Sequence, residues 1–302
     1  MLTKSIFPAI KRSRAAHSQP KFLDLIDVDG VSRKVHVIDM QGESPNSKTM
    51  VILGGAAQTL FSWLPHYKDL AKGRRLIIPE MRCQGKTELN PANATMKQLV
   101  SDFRNLMINL NIEKTDLVGF SYGGRVALGI AAHAPELLNK VSLTGVALKR
   151  NGLGNAIIES WKIAFNNSNM EEAAWSFVLN GYSTKFLNEN GDRISTHVDM
   201  ICKSNDVKKL AHLYSNTMED SDSYSLPSCA TKIAEMEIVR DIQILAAAED
   251  RIASADGSRD LASILKTNPA MRIKYEEMSA GHLLPFEKPR AWRQAVLSFI
   301  DS

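Results

Sequence analysis

The sequence has few cysteines and no long apolar run, and each shortage argues against a class of protein. Three cysteines are scattered through 302 residues without CxxC spacing. This pattern argues against a disulfide framework and a zinc site, and it fits a reducing compartment. No eighteen consecutive residues are apolar, so we expect no membrane-spanning helix. The length and the 44% hydrophobic content suit one globular domain, or one domain with a large insertion.

Acidic residues are missing from the first twenty positions. This segment carries Lys4, Lys11, Arg12 and Arg14, so it accounts for the whole formal charge of +4 and the rest sums to zero. A neutral body with a small basic tail argues against nucleic-acid binding. The composition of residues 1–20 is typical of an organelle transit peptide or of a plain N-terminal extension. We therefore expect an intracellular protein that is cytoplasmic or, with a transit peptide, mitochondrial or plastid.

From residue 21 onward, short β-rich runs alternate with helical periods. The alternation predicts an α/β fold, with a mostly parallel eight-stranded sheet flanked by helices. The predicted strands are 21–28, 35–38, 50–53, 76–78, 116–118, 140–143, 242–248 and 271–276. Apolar residues at helical spacing predict helices over 96–110, 126–134, 261–265 and 292–299.

One segment interrupts the alternation. Residues 150–240 contain helical periods and aromatic side chains but no clear strand. Because the predicted sheet resumes afterwards, we interpret this segment as a helical cap inserted into a core made of residues 21–149 and 241–302. A separate helical domain is the alternative. A cap would place an apolar pocket over the carboxyl edge of the sheet, with one or two of its aromatic residues facing the substrate.

The segment Gly119-Phe120-Ser121-Tyr122-Gly123 matches the G-x-S-x-G nucleophile elbow. In that elbow a serine lies on a strained turn between a strand and a helix, and bulky side chains at the glycine positions would collide. The turn puts the hydroxyl at a helix N-terminus, where backbone N–H groups favour negative charge. A predicted strand precedes the motif and a helix rich in small residues follows it. This context predicts a nucleophile at Ser121 rather than a structural tight turn.

A serine nucleophile needs a base near neutral pH, and His282 is the candidate among seven histidines. It follows Gly281 just after the last predicted strand, where an α/β sheet delivers a loop to its catalytic edge. The acid is expected at the end of the preceding strand, which nominates Asp250, with Glu249 and Asp256 as alternatives. Its role would be to hold the imidazole tautomer and to stabilise the imidazolium.

Acyl transfer also needs hydrogen-bond donors for the developing oxyanion. One expected donor is the N–H of Tyr122, the residue after the nucleophile. The second donor is expected in the loop after the third strand, where the N–H of Ala56 is the candidate. Gly55 and Ala57 of the same loop, together with Trp161, are the candidate substrate-binding residues. A plain glycine-rich turn is the alternative reading of this loop.

These residues, in this order, resemble the α/β-hydrolase superfamily over residues 21–300. Residues 80–87 look like its D-x-R-G-x-G-x-S loop, and residues 281–289 look like its terminal G-H-x-x-x-x-E-x-P segment. The loop 54–57 followed by Trp63 also resembles the branch that handles 3-hydroxyacyl-carrier-protein substrates.

The chain departs from the family pattern at three positions. Gly54 stands where many members have a histidine, so any bracing of the loop by that histidine is missing. Glu80 replaces the usual aspartate and Cys83 a glycine. We expect the last two to lie at the rear wall of the substrate pocket, where they would affect the choice of substrate.

The resemblance implies a serine hydrolase that cleaves a carboxylic ester or an acyl thioester through an acyl-enzyme intermediate. It implies a small-molecule acyl substrate and neither a metal nor an organic cofactor. A serine at position 121 argues against the dehalogenase and epoxide-hydrolase branches, which have an aspartate there. Two alternatives stay open: an acyltransferase on the same triad, and a ligand receptor with little turnover. The acyl chain, the leaving group and the oligomeric state are also left open.

Overall fold

The computed structural model describes residues 19–44, 47–217, 223–237 and 240–302. All but the last two positions of the predicted basic tail, residues 1–20, lie outside this part of the chain. Eight strands form one sheet. They are β1 (Lys21–Ile26), β2 (Ser32–Met40), β3 (Thr49–Leu53), β4 (Arg75–Pro79), β5 (Thr115–Phe120), β6 (Leu138–Thr144), β7 (Asp241–Ala247) and β8 (Arg272–Met278).

The strand order across the sheet is β1-β2-β4-β3-β5-β6-β7-β8. β2 pairs antiparallel with β1 and with β4, and every other neighbouring pair is parallel. The central strands β3 and β5 are buried along their whole length, as expected for parallel strands covered on both faces. The mostly parallel eight-stranded α/β sheet predicted from the sequence is therefore confirmed. Because these strands run the same way, their carboxyl ends meet at one edge.

Twelve α-helices are assigned in the described ranges. They are α1 (Tyr67–Leu70), α2 (Met96–Asn109), α3 (Tyr122–His133), α4 (Gly152–Asn166), α5 (Met170–Gly181), α6 (Thr184–Glu189), α7 (Ile194–Ser204), α8 (Val207–Thr217), α9 (Leu226–Ala234), α10 (Ala255–Leu265), α11 (Leu284–Glu287) and α12 (Pro289–Ile300). No helix in these ranges is long and apolar enough to cross a membrane.

Helix α2 illustrates why these segments are helical. The Thr95 side chain caps it by accepting a hydrogen bond from the Gln98 N–H at 3.2 Å. Its apolar residues recur at helical spacing and are buried on one face, as the sequence predicted: Met96, Leu99, Val100, Phe103, Leu106 and Met107. All of these residues except Leu106 pack in the same core as α3, so the two helices cover one side of the sheet.

The sheet separates two hydrophobic cores, because alternate side chains of a strand point to opposite faces. Along β3, Val51 and Leu53 pack with α2 and α3, whereas Met50 and Ile52 pack on the other side. That second core is filled by the fully buried rings of Trp63 and Trp292. The carboxyl ends of the central strands are thus fixed from both faces.

Helices α4 to α9 follow one another between β6 and β7, and no strand occurs among the described residues of this stretch. We call it the helical insertion (residues 150–240). Trp161 and Phe165 of α4 pack against Tyr214 of α8 in the core that also contains α3. A second cluster joins Val178 of α5 to Val198 of α7. The α4–α8 part of the insertion therefore shares the core of α3, whereas the second cluster packs against Leu283 and Phe286.

Candidate active site

Ser121 lies between the end of β5 and the start of α3, with φ 51° and ψ −115°. A non-glycine residue at positive φ is uncommon, and strain of this kind costs on the order of 1–3 kcal/mol. The surrounding backbone holds it there: the Ser121 N–H donates to the carbonyl oxygen of Thr144 on β6 at 2.8 Å. The turn leaves the Ser121 side chain partly exposed at the carboxyl edge of the sheet.

The glycines of the motif are required by close approach of the backbone. A Cβ atom added to Gly119 would lie 2.6 Å from the Gly124 Cα, and one added to Gly123 would lie 2.1 Å from the Leu53 carbonyl oxygen. The Gly123 N–H donates to the Gly54 carbonyl oxygen at 3.0 Å, so β3 and α3 are in direct contact. A side chain at either position would require the neighbouring backbone to move.

A chain of two hydrogen bonds joins Ser121, His282 and Asp250. The His282 Nε2 lies 2.7 Å from the Ser121 Oγ, and its Nδ1 lies 2.7 Å from the Asp250 Oδ2. The histidine and the aspartate are both buried. The other aspartate oxygen accepts the N–H groups of Ile252 and Ala253 at 2.8 and 2.7 Å, which fixes the carboxylate orientation. The structure thus brings together the three residues proposed from the sequence.

The two rival acids lie elsewhere. Glu249 is exposed, and its backbone N–H donates to the Ala280 carbonyl oxygen at 2.9 Å. Asp256 has a side chain that is 84% exposed and forms an ion pair with Arg259. Neither carboxylate is placed to orient the imidazole.

The two candidate oxyanion donors, Ala56 and Tyr122, belong to residues that line one cavity with Ser121 and His282. Tyr122 is the first residue of α3, where backbone N–H groups point away from the helix. Ala56 follows β3 in the adjacent loop. Both candidate donors therefore belong to residues at the border of the cavity that contains the nucleophile.

The other two loop residues proposed to bind substrate lie outside the cavity wall. The Gly55 N–H donates to the Gln58 Oε1 at 2.7 Å, and its carbonyl oxygen accepts the Gln84 Nε2 at 2.8 Å. Ala57 is buried at φ 58°, and its carbonyl oxygen accepts the Asn205 Nδ2 at 2.9 Å. These two residues shape the loop through their backbone. The side chains of Gln58 and Gln84 therefore hold this loop, in which position 54 lacks the histidine of the family pattern.

The cavity at Ser121 encloses about 430 Å³ of space, part of it open to solvent. Its described wall is mostly apolar and comes from both the core and the helical insertion: Ala56, Ser121, Tyr122, Arg125, Gly145, Val146, Ala147, Arg150, Ile158, Trp161, Tyr214, Leu226, Ile252, Ala253 and His282. Trp161 lies in this wall, as proposed from the sequence, and its Nε1 donates to the Ser176 Oγ at 2.8 Å. Among the described residues, no three His, Cys, Asp or Glu side chains are grouped to hold a metal ion.

Sequence reasoning missed three polar residues of this wall: Arg125, Arg150 and Tyr214. Arg125 had a signal, because it follows Ser121 by four residues, directly before the predicted helix 126–134, and residues four apart share a helix face. The other two had none, because only the packing of the insertion brings them to the cavity.

The expectation that Glu80 and Cys83 form the rear wall of this cavity is wrong. Glu80 is buried beneath the loop, where its carboxylate lies 2.8 Å from the His36 Nδ1 and accepts the Lys86 N–H at 2.7 Å. Cys83 is also buried, and burial raises the pKa of its thiol to about 12. Glu80 thus holds the 80–87 loop, and neither residue lines the cavity at Ser121.

The helical insertion is attached to the loop that carries the candidate base. The Glu287 carboxylate accepts three hydrogen bonds, from the Gly281 N–H at 3.0 Å, the Ser183 N–H at 2.9 Å and the Ser183 Oγ at 2.5 Å. Nearby, the Leu283 N–H donates to the Gly181 carbonyl oxygen at 2.7 Å. Glu287 therefore joins the α5–α6 junction to the residue that precedes the histidine.

Comparison with known proteins agrees with this architecture. Residues 48–184 match the family model described as alpha/beta hydrolase fold. A pyrrolizixenacetamide deacetylase from Xenorhabdus hominickii is 23% identical over 279 residues, which cover 89% of this chain and 98% of that protein.

Two solved structures are similar over most of the chain. MGS-M2, an alpha/beta hydrolase enzyme from a Medee basin deep-sea metagenome library, matches with a TM-score of 0.77 at 20% identity, over 89% of this chain and 95% of that one. The enol-lactonase from Burkholderia xenovorans LB400 matches with a TM-score of 0.74 at 17% identity, over 89% and 97%. At these identities the likeness shows the fold.

Proposed function

We propose that this chain, which belongs to the α/β-hydrolase fold superfamily, is a serine hydrolase that cleaves a carboxylic ester or an acyl thioester. The observation that carries the proposal is the hydrogen-bonded chain Ser121–His282–Asp250, with the serine on a strained turn at the cavity. A hydroxyl, a base within 2.7 Å and a buried carboxylate on the far nitrogen are the parts needed for acyl transfer.

In the first half of the reaction, the Ser121 Oγ attacks the carbonyl carbon of the substrate and its proton passes to the His282 Nε2. The Asp250 carboxylate holds the Nδ1 proton and stabilises the imidazolium. The carbonyl oxygen becomes an oxyanion, which we expect the N–H groups of Ala56 and Tyr122 to stabilise, at about 3–4 kcal/mol per donor. The intermediate collapses as His282 protonates the departing alcohol or thiol, leaving an acyl-serine.

In the second half, water attacks the acyl-serine while His282 accepts its proton and then returns one to the Ser121 Oγ. The products are the carboxylic acid and the regenerated enzyme. These steps use only side chains, backbone N–H groups and water.

The mostly apolar wall supports an acyl chain beneath the helical insertion. Ile158, Trp161 and Leu226 of the insertion face the same cavity as the serine, and this arrangement supports its role as a cap. Burial of a methylene group is worth about 0.8 kcal/mol, so each added methylene should raise kcat/KM roughly fourfold until the cavity is full.

The test is steady-state hydrolysis of p-nitrophenyl esters from acetyl to decanoyl, with a matching series of acyl thioesters. Sustained turnover that depends on Ser121 supports the proposal. A single stoichiometric burst without turnover would favour a ligand receptor instead. Transfer of the acyl group to an added alcohol in preference to water would favour an acyltransferase. No reaction with any member of either series would contradict the proposal.

A further inference from the structure

Two arginines lie in the wall of the cavity that contains Ser121 and His282. Arg125 is in the first turn of α3, and its N–H donates to the Ser121 carbonyl oxygen at 3.0 Å. Arg150 follows β6 at the start of the helical insertion, and its Nε donates to the Asn155 Oδ1 at 3.3 Å. Two arginines from separate elements thus border one cavity.

Tyr214 of α8 is buried and lines the same cavity. Burial raises the pKa of Tyr214, while the charges of Arg150 and Arg125 act to lower it. The phenol therefore keeps its proton at neutral pH and can donate a hydrogen bond. The arginines and the phenol together present donors from three elements, α3, the β6–α4 segment and α8.

The described residues of the wall include no aspartate or glutamate. The first turn of α3 adds the partial positive charge of a helix N-terminus next to Ser121. Two arginines and no carboxylate thus lie in the described wall of a mostly apolar cavity, where charge–charge interactions are stronger than in water. Such a wall favours a substrate that carries a negative charge of its own.

We propose that Arg125 and Arg150 bind a carboxylate on the acyl chain, so that the preferred substrates are half-esters or half-thioesters of dicarboxylic acids. Guanidinium groups pair with carboxylates through two parallel N–H···O bonds, which fixes orientation as well as affinity. Both arginines also have contacts within the chain, and the bound carboxylate adds to them. This assignment specifies the substrate class of the proposed hydrolase. It rests on the proposed function, which identifies the ester or thioester as the group that Ser121 attacks.

The first experiment measures binding without turnover. Dissociation constants for monoethyl glutarate and for ethyl pentanoate, its neutral twin, are measured on the Ser121→Ala chain. Charge-assisted hydrogen bonds are worth about 1.5–3 kcal/mol, so the half-ester should bind roughly ten- to hundredfold more tightly. Equal affinity for the two esters would overturn the assignment.

The second experiment removes one charge at a time. Arg150→Gln and Arg125→Gln should each lower the ratio of the two affinities toward one. Lys149→Gln is the matched control, because Lys149 precedes Arg150, carries the same charge, is exposed and lies outside the cavity wall; it should leave the ratio unchanged. Arg125 is buried, so Arg125→Gln can fail to fold; in that case the affinity ratio of Arg150→Gln alone decides, because Arg150 is only half-buried. A ratio that falls equally in the control would show a general charge effect and overturn the assignment.

Turnover by the unaltered chain then separates this inference from the proposed function. Hydrolysis of both esters, with kcat/KM about tenfold or more higher for monoethyl glutarate, supports both. Equal kcat/KM for the two esters keeps the hydrolase and overturns the carboxylate site. Tight binding of the half-ester by the Ser121→Ala chain without hydrolysis by the unaltered chain keeps the site and contradicts the hydrolase.

Discussion

The edge of the sheet and the helical insertion build the same cavity in different ways. At the edge, backbone geometry fixes the reacting groups: Ser121 is held at positive φ, and the Asp250 carboxylate accepts two backbone N–H groups. In the insertion, Trp161 and Tyr214 reach the cavity through packing: the two rings contact each other, and Tyr214 also stacks on Phe165. The reacting groups therefore have little freedom, whereas single substitutions in the insertion can reshape the pocket.

The largest effect is expected at the sheet edge. Ser121→Ala should lower ester turnover by about 10⁶-fold while leaving the fold intact, because only binding and the backbone donors would remain. Turnover and circular dichroism of the purified variant check this. If the variant retained most of the activity, the reacting groups would not be those at the sheet edge, and the contrast between the two regions would be wrong.

The next prediction compares two neighbouring acids. Asp250→Asn should lower kcat by about 10⁴-fold, because the amide favours the wrong imidazole tautomer. Glu249→Gln should change kcat little, since that side chain is exposed and does not contact His282. Equal losses in the two variants would mean that the orienting acid is misassigned.

Glu287 connects the helical insertion to the loop that carries His282 at the sheet edge. Its substitution therefore tests whether the insertion helps to position the histidine. Glu287→Gln replaces a carboxylate that accepts three hydrogen bonds with an amide that cannot accept all of them. The loop carrying His282 should shift, and a misplacement of about 1 Å can cost up to roughly 10²-fold in rate. We expect this loss of rate to appear as a lower kcat, whereas KM should change much less.

The control for Glu287 is Glu276→Gln, a similar change on β8 in a side chain that is not part of this junction. Rescue of part of the kcat by Glu287→Asp would support a positioning role. A variant that raises KM and leaves kcat unchanged would show that Glu287 acts on the pocket instead of the histidine.

The smallest effect is expected on the pH dependence of stability, through the buried His66, whose ring contacts Trp63 and Trp292. Burial lowers the pKa of His66 from 6.5 to about 3, with a further contribution from the Arg293 charge. Because the folded-state pKa is depressed, the unfolded chain binds the proton first, so stability is complete above pH 6.5 and is lost as the pH falls toward 3. At pH 5 the loss from this group is about 2 kcal/mol.

Urea denaturation at pH 7.5 and pH 5 checks this prediction. The His66→Gln variant should lose about 2 kcal/mol less free energy of unfolding than the unaltered chain over that range. Parallel losses in the two chains would show that His66 does not contribute to acid sensitivity.

Much of the fold could be predicted because the signals are local. Each of the eight strands coincides with a short β-rich run, and Ser121 and His282 follow from their places after predicted strands. The order of the strands along the chain also places Asp250 before the histidine. These inferences need only the rule that parallel strands end at one edge of a sheet.

The wall of the cavity could not be predicted in the same way. Arg150 and Tyr214 are separated by more than sixty positions, and only the packing of α4 against α8 brings them together. Gly55 and Ala57 lie in an irregular loop, where no periodicity tells which way a residue points. Hydrogen bonds to Gln58 and Asn205 orient that loop, and nothing local in the sequence indicates these partners.

Covalent labelling tests the central claim most directly. A fluorophosphonate probe should form one adduct with the unaltered chain, located on the peptide that contains Ser121 by mass spectrometry, because His282 activates this hydroxyl. Ser121→Ala should not be labelled, and Asp250→Asn should be labelled much more slowly. Failure of the unaltered chain to react, or an adduct on another residue, would contradict the assignment of Ser121 as the nucleophile.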